Sequence, residues 1–130
     1  LTRPTKDQLI HTKNLWEDEE TMAFNAKWGG IVPFPETEWD AFYDVYCTED
    51  PHHLYFHIRN LDGVVVGEVS SRYDDQLDAH RLNIKIHASA RGNHHGRDAL
   101  IAFLTVLFED MEVPRVIDDV ASDNEGAIHL

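Results

Sequence analysis

The chain has a single cysteine, Cys47, which excludes an intrachain disulfide framework and fits a reducing cytoplasm. Cations are also scarce. There are 11 Lys and Arg, only four of them lysine, against 24 Asp and Glu, for a formal net charge of −13. A protein that grips duplex nucleic acid neutralises phosphates with a positive field, so this balance argues against general nucleic-acid binding. No apolar run approaches the ~20 residues of a membrane span. No basic segment followed by an apolar one reads as a leader, so secretion is not expected. Repeats, low-complexity tracts and Gly/Ser linkers are missing as well, and one domain over residues 1–130 is the simplest organisation.

What is present suits a folded domain. The chain is 42% hydrophobic, and 130 residues can bury a usable core. The acidic field attracts cations such as amines, although acidity also serves solubility alone.

Near the amino end, Thr5 and Gln8 have capping-box spacing, so a helix is expected from about Lys6, with Leu9 and Trp16 on its apolar stripe. Residues 22–35 read as a Gly- and Pro-rich loop. A second helix follows Pro35, with Trp39, Phe42, Tyr43 and Tyr46 on one face. Then come "LYFHIRN", an Asp62-Gly63 hairpin signal, "VVVGEVSS", a polar, turn-like "RYDDQLDAH", and the alternating "RLNIKIH". The longest periodic helix carries Leu100, Phe103, Leu104, Leu107, Phe108 and Met111 and ends before Pro114. "RVIDDVA" is one more strand, and Asn124 opens a last helix. The expected fold is a mixed α/β (α+β) sheet. An antiparallel meander is joined to a parallel βαβ crossover, with helices packed on the sheet.

The loop "ARGNHHGRDAL", residues 90–100, joins strand to helix and admits three readings. A metal site is poorly supported. His94 and His95 are adjacent, His87 lies upstream, His52, His53 and His57 form a separate group, and structural zinc needs four closely spaced ligands. Nucleic-acid binding fails on charge. Phosphate binding is chemically sound: N–H groups at a helix start lack partners and lie at the positive end of the dipole. Gly92 and Gly96 allow close approach, and Arg91 and Arg97 add charged donors. An ordinary strand-to-helix turn would have the same composition.

The order of motifs adds context. "LNIKIHASARGNHHGRDAL" followed by "VPRVIDDVASDNEGAIHL" resembles the GCN5-related N-acetyltransferase (GNAT) family. There, an alternating strand leads into an Arg/Gln-x-x-Gly-x-Gly/Ala loop and a long helix, then a strand and an Asn-x-x-Ala-Ile segment. The matching residues are Arg91 to Gly96 and Asn124 to Ile128. His94 stands where the family keeps its first motif glycine.

The resemblance implies acetyl-coenzyme A as donor and no metal. It implies pyrophosphate on the backbone of Arg91, Gly92, Asn93, His94, His95, Gly96 and Arg97. The pantetheine arm would pair along Ile84, Lys85 and Ile86, using a splay between two central parallel strands. Asn124 would bond the arm, a role that coexists with helix capping. Acetyl transfer to an amine needs a general base and a donor for the carbonyl oxygen. Glu68, Asp119 and His87 are alternative base candidates, and each is also explained as a solvated or salt-bridged side chain. The family's tyrosine acid would fall just after Leu130 and its closing strands later still, so the sequence reads as C-terminally incomplete. Trp28, Phe34 and Trp39 are candidates for lining the acceptor face, or for the core.

The expected function is transfer of acetyl to a primary amine of a small molecule or peptide in the cytoplasm, with no nucleic acid or membrane partner. The resemblance leaves room for a homodimer. A non-catalytic acyl-coenzyme A sensor of the same fold is the alternative, and a metal-binding protein built on the histidines is the third.

Overall fold

The computed structural model describes residues 1–48, 50, 52–110 and 115–117. Gln8 Oε1 accepts from the Thr5 N–H at 3.0 Å, the return half of a capping box. A 3-10 turn, Lys6–Gln8, then leads into α1, Leu9–Trp16, which buries Leu9, Thr12 and Leu15 on one side. The loop that follows holds a 3-10 segment, Ala23–Trp28. It turns back through Gly29 and Gly30, both at positive φ, where L side chains are strained. After Pro35 a 3-10 turn opens α2, Trp39–Tyr46, and the expected aromatic stripe faces inward.

The strands β1 (His53–Arg59), β2 (Val65–Asp74), β3 (Ala79–Ile86) and β4 (Val116–Ile117) lie in the order β1-β2-β3-β4. The first three form the expected antiparallel meander. β4 pairs in parallel with His80 and Arg81, as the crossover requires. Asn60 closes the first hairpin, its side-chain oxygen accepting from the Asp62 and Val64 N–H groups around Gly63 at φ 81°.

The segment "RYDDQLDAH" departs from its turn-like composition: only residues 75–78 turn. The flanking residues pair across the strands. The Arg81 Nε donates to Asp74 Oδ2 at 2.7 Å, the Tyr73 hydroxyl donates to Asp78 at 2.6 Å, and Tyr73 stacks on His52. Polar residues extend a hairpin when their partners sit opposite them.

The crossover helix α3, His95–Thr105, continues as a π-helical turn, Val106–Asp110. Phe103 and Leu107 are fully buried, whereas Phe108, on the apolar stripe by sequence, is 46% exposed. The wider turn breaks the 3.6-residue phase at that point. Met111, Pro114, the rest of "RVIDDVA", the splay beyond Ile117 and the helix expected from Asn124 lie outside the described residues.

α3 packs on one face of the sheet against Leu54, Ile58, Val69 and Leu82. α1 and α2 cover the other face through Leu9, Phe34, Tyr55 and a shell of aromatic side chains. One residue of β2, Val66, is extra where the β1–β2 register shifts between Ile58 and Arg59. Both Val66 and Val69 therefore reach the α3 core, and the faces beyond the bulge run Glu68, Ser70, Arg72 against Gly67, Val69, Ser71.

Candidate active site

The register places polar residues in rows on the α1/α2 face. Cross-strand partners are His57, Glu68 and Lys85 in one row, Tyr55, Ser70 and Asn83 in the next, and His53, Arg72 and Arg81 in the third. Between these rows and the helices lies a cavity of about 480 Å³, within the range of small-ligand sites. Trp16, Phe42, Tyr46 and Tyr55 wall it, and Glu68, Ser70, Arg72, Arg81, Asn83 and Lys85 line its floor.

Glu68 is 2% exposed. Its Oε1 accepts from the Trp16 indole N–H at 2.5 Å and lies 3.3 Å from the Lys85 ammonium. Lys85 also donates to Asn83 at 2.8 Å. Oε2 is buried with no hydrogen bond of full geometry among the described residues, and the Tyr55 phenol lies beside the carboxylate. An unmade acceptor of this kind costs about 1–3 kcal/mol, so it points to a ligand that completes it. Gly67, just before Glu68, is required by space: a Cβ there would collide with the Lys85 carbonyl. This close approach seats Glu68 beside the β3 segment that ends at Ile86.

Behind Glu68, the Thr12 hydroxyl joins the Tyr55 hydroxyl at 2.6 Å and His57 Nε2 at 3.0 Å. Burial, then the Glu68 carboxylate, push the Tyr55 phenol well above its ordinary range, so it stays protonated. Burial, with His11 and Arg59 adding to it, pushes His57 down to about 4, so it is neutral at physiological pH.

The loop after α1 is tied to the loop after β3. Asp18 Oδ2 accepts from the Thr21 N–H and hydroxyl, which hold its carboxyl below the usual range. Thr21 in turn accepts the Ala88 N–H on its hydroxyl and an Arg91 Nη2 N–H on its carbonyl. Arg91 thus braces this junction. His87 belongs to it too: its Nδ1 accepts from the Ser89 N–H, and its Nε2 lies 3.7 Å from Asp18 Oδ2. These contacts hold the His87 ring within the loop junction.

At the start of α3, His94 is the N-cap and takes the left-handed conformation, φ 61° and ψ 13°, with no side-chain cap. This is the position where the resembling family keeps glycine, and the backbone has kept glycine's conformation. Gly92 is also at positive φ (85°), with open space where a Cβ would point. Residues 91–94 are exposed and Gly96 is buried. An exposed turn leading into uncapped first-turn N–H groups fits a phosphate group. Along β3, β4 pairs with His80 and Arg81 among the described residues.

Of the expected site residues, Glu68 and Lys85 line the cavity, whereas His87 and residues 91–97 are not among its lining residues. Asp119 and Asn124 lie outside the described residues. Phe34 and Trp39 belong to the aromatic core, and the side chain of Trp28 is not among those described. Sequence reading missed Trp16, Tyr55, Arg72, Arg81 and Asn83 as site residues. Strand alternation placed Asn83 and Lys85 on one face, but only the register reveals their partners. Among the described residues, no three His, Cys, Asp or Glu side chains group as a metal site, and no helix is long and apolar enough to cross a membrane.

The acetyltransferase (GNAT) domain model matches residues 1–130. Solved structures share the fold. A chimera of the Vibrio cholerae spermidine N-acetyltransferase SpeG and hSSAT superposes with a TM-score of 0.75 at 15% identity, covering 98% of this chain and 74% of that one. An N-acetyltransferase from Staphylococcus aureus Mu50 gives 0.75 at 18% identity, over 97% and 75%. A GNAT-family acetyltransferase from Bacillus anthracis gives 0.74 at 14% identity, over 95% and 70%. No curated protein matches the sequence. The chain belongs to the GNAT acetyltransferase family, whose members use acetyl-coenzyme A, and is an N-acetyltransferase by class.

Proposed function

We propose that this domain transfers an acetyl group from acetyl-coenzyme A to a primary amine, with Glu68 as the general base. The observation that carries this reading is Glu68 Oε2, a buried acceptor without a hydrogen bond of full geometry in a cavity beside the Ile84–Ile86 strand end. When bound, acetyl-coenzyme A supplies an activated thioester. The first-turn N–H groups of α3 and the backbone of Gly92 to Arg97 would hold its phosphates, and Ile84, Lys85 and Ile86 its arm. Glu68 Oε2 would accept the proton of an incoming ammonium, directly or through water, freeing the nitrogen lone pair. Trp16 and Lys85 fix Oε1, so the carboxylate keeps its orientation as the proton arrives. A backbone N–H near Ile86 would donate to the carbonyl oxygen. His87, with its Nδ1 engaged by Ser89, and Asp119 are the lesser candidates.

The test is release of free thiol from acetyl-coenzyme A over a panel of amines, with Glu68→Gln beside the parent. Turnover that falls about 100-fold in kcat on loss of a base supports the assignment. Unchanged turnover in the variant removes Glu68 from the role. Tight binding of acetyl-coenzyme A with no turnover on any amine would establish the sensor reading instead.

A further inference from the structure

We infer that the acceptor carries an anionic group beyond its reacting amine, and that Arg72 recognises it. This rests on the acceptor occupying the cavity described above. In a chain of net charge −13, that cavity is lined by three of the eleven Lys and Arg, Arg72, Arg81 and Lys85, against one carboxylate, Glu68. The charges are ordered along the strands. Glu68 faces Lys85 at one end, the neutral pair Ser70 and Asn83 lies in the middle, and Arg72 faces Arg81 at the other end. The Arg81 guanidinium already bonds Asp74 through its Nε at 2.7 Å, so its charge is engaged there. No side chain among the described residues bonds the Arg72 guanidinium. Arg72 is exposed and presents the planar fork that matches a carboxylate.

This anion is not the cofactor's. The phosphates are assigned to the start of α3, and α3 packs on the opposite face of the sheet. The ligand's length follows from the strand. Glu68 and Arg72 are four residues apart, about 13 Å at roughly 3.3 Å per residue, and both side chains shorten the gap. An amine and a carboxylate separated by several bonds fit this span, and the aromatic wall of Trp16, Phe42 and Tyr46 covers the apolar stretch between them. The class is an extended amino carboxylate, either a diamino acid reacting at its terminal amine or a short peptide reacting at its N-terminus. A polyamine would set a cation against Arg72.

The experiment reads binding without turnover, so it stands apart from the acetyltransferase reading. Calorimetry or NMR titration compares 6-aminohexanoate, hexylamine and 1,6-diaminohexane on the protein. 6-Aminohexanoate is expected to bind at least ten-fold more tightly than either amine. Arg72→Gln should bring it within about two-fold of hexylamine, and Arg72→Lys should restore part of the difference. L-lysine against triglycine then separates the two sources, and preferential binding of either over the amines supports the inference. Equal binding of all three probes, or tightest binding of the diamine, overturns it. If 6-aminohexanoate binds as expected but no acetyl moves to any amino carboxylate, the anion site stands and the catalytic reading fails.

Discussion

On one face of the β1–β3 sheet, Leu54, Val69 and Leu82 meet Phe103 and Leu107 of α3. On the other, Glu68, Lys85, Ser70, Asn83, Arg72 and Arg81 lie beneath an aromatic roof from α1 and α2. The same strands build both. The first face is apolar around α3 apart from Ser71, whose buried hydroxyl also lacks a partner among the described residues. The second could have been filled with aliphatic side chains and instead keeps a buried carboxylate oxygen without a hydrogen bond of full geometry. Surface acidity needs no such arrangement, so the polar face is where ligand chemistry belongs and the α3 face is where the fold is stabilised.

The contrast breaks first at Phe103, which is fully buried and meets Phe56 edge-on at 5.8 Å. Phe103→Ala is expected to cost about 3–5 kcal/mol, enough to unfold much of the protein. Ser70→Ala, on the polar face, should stay within about 0.5 kcal/mol. Urea titration of the two variants checks both. Similar losses would show that the polar face also carries the fold.

Acid probes the polar face next. His57 is held at about 4 by burial, below its ordinary 6.5. Above about pH 6.5 neither state protonates it, and its contribution is fully present. Between about 6.5 and about 4 the unfolded chain takes up a proton that the folded protein refuses, and stability falls. Below about 4 both states carry the proton, and this group adds no further loss. The total is about 3 kcal/mol. His57→Gln should flatten that part of the stability–pH curve, read from urea midpoints between pH 7.5 and 4. An unchanged slope would mean that other groups govern it.

The α3 face was legible in the sequence. Leu82, Ile84 and Ile86 alternate, and the 3.6-residue stripe of α3 predicts its partner surface as far as the π turn. The polar rows were not legible, because they depend on register. The extra residue at Val66 shifts which β2 side chains share a face, and nothing local announces which β3 residue opposes Glu68. Trp16 lies 52 residues from the carboxylate it holds, a separation that periodicity cannot bridge. The loop at residues 91–97 was legible as a motif. Its backbone was not: only the structure puts His94 in the conformation a glycine would take.

Trp16 offers a finer test of the polar face. Trp16→Phe keeps an aromatic wall and removes the N–H that holds Glu68 Oε1. A hydrogen bond to a charged group is worth about 1.5 kcal/mol at the low end, so kcat should fall about ten-fold. KM for the amine should move much less, because the wall remains. If KM rises and kcat holds, Trp16 contacts the acceptor and does not position the carboxylate.

The smallest expected effect falls on His94, where the loop before α3 departs from the motif glycine. Holding a non-glycine residue left-handed costs about 1 kcal/mol. His94→Gly relieves that cost but adds freedom to the unfolded chain, so the net gain should be a few tenths of a kcal/mol by urea titration. The imidazole does not cap α3, and on the proposed cofactor placement its Cβ would stand where the phosphate approaches. Removing it should tighten acetyl-coenzyme A binding several-fold in a calorimetric titration. Weaker binding would reverse the role of the ring: its N–H would then be a phosphate donor that compensates for the strained backbone, and the departure from glycine would be part of the cofactor site.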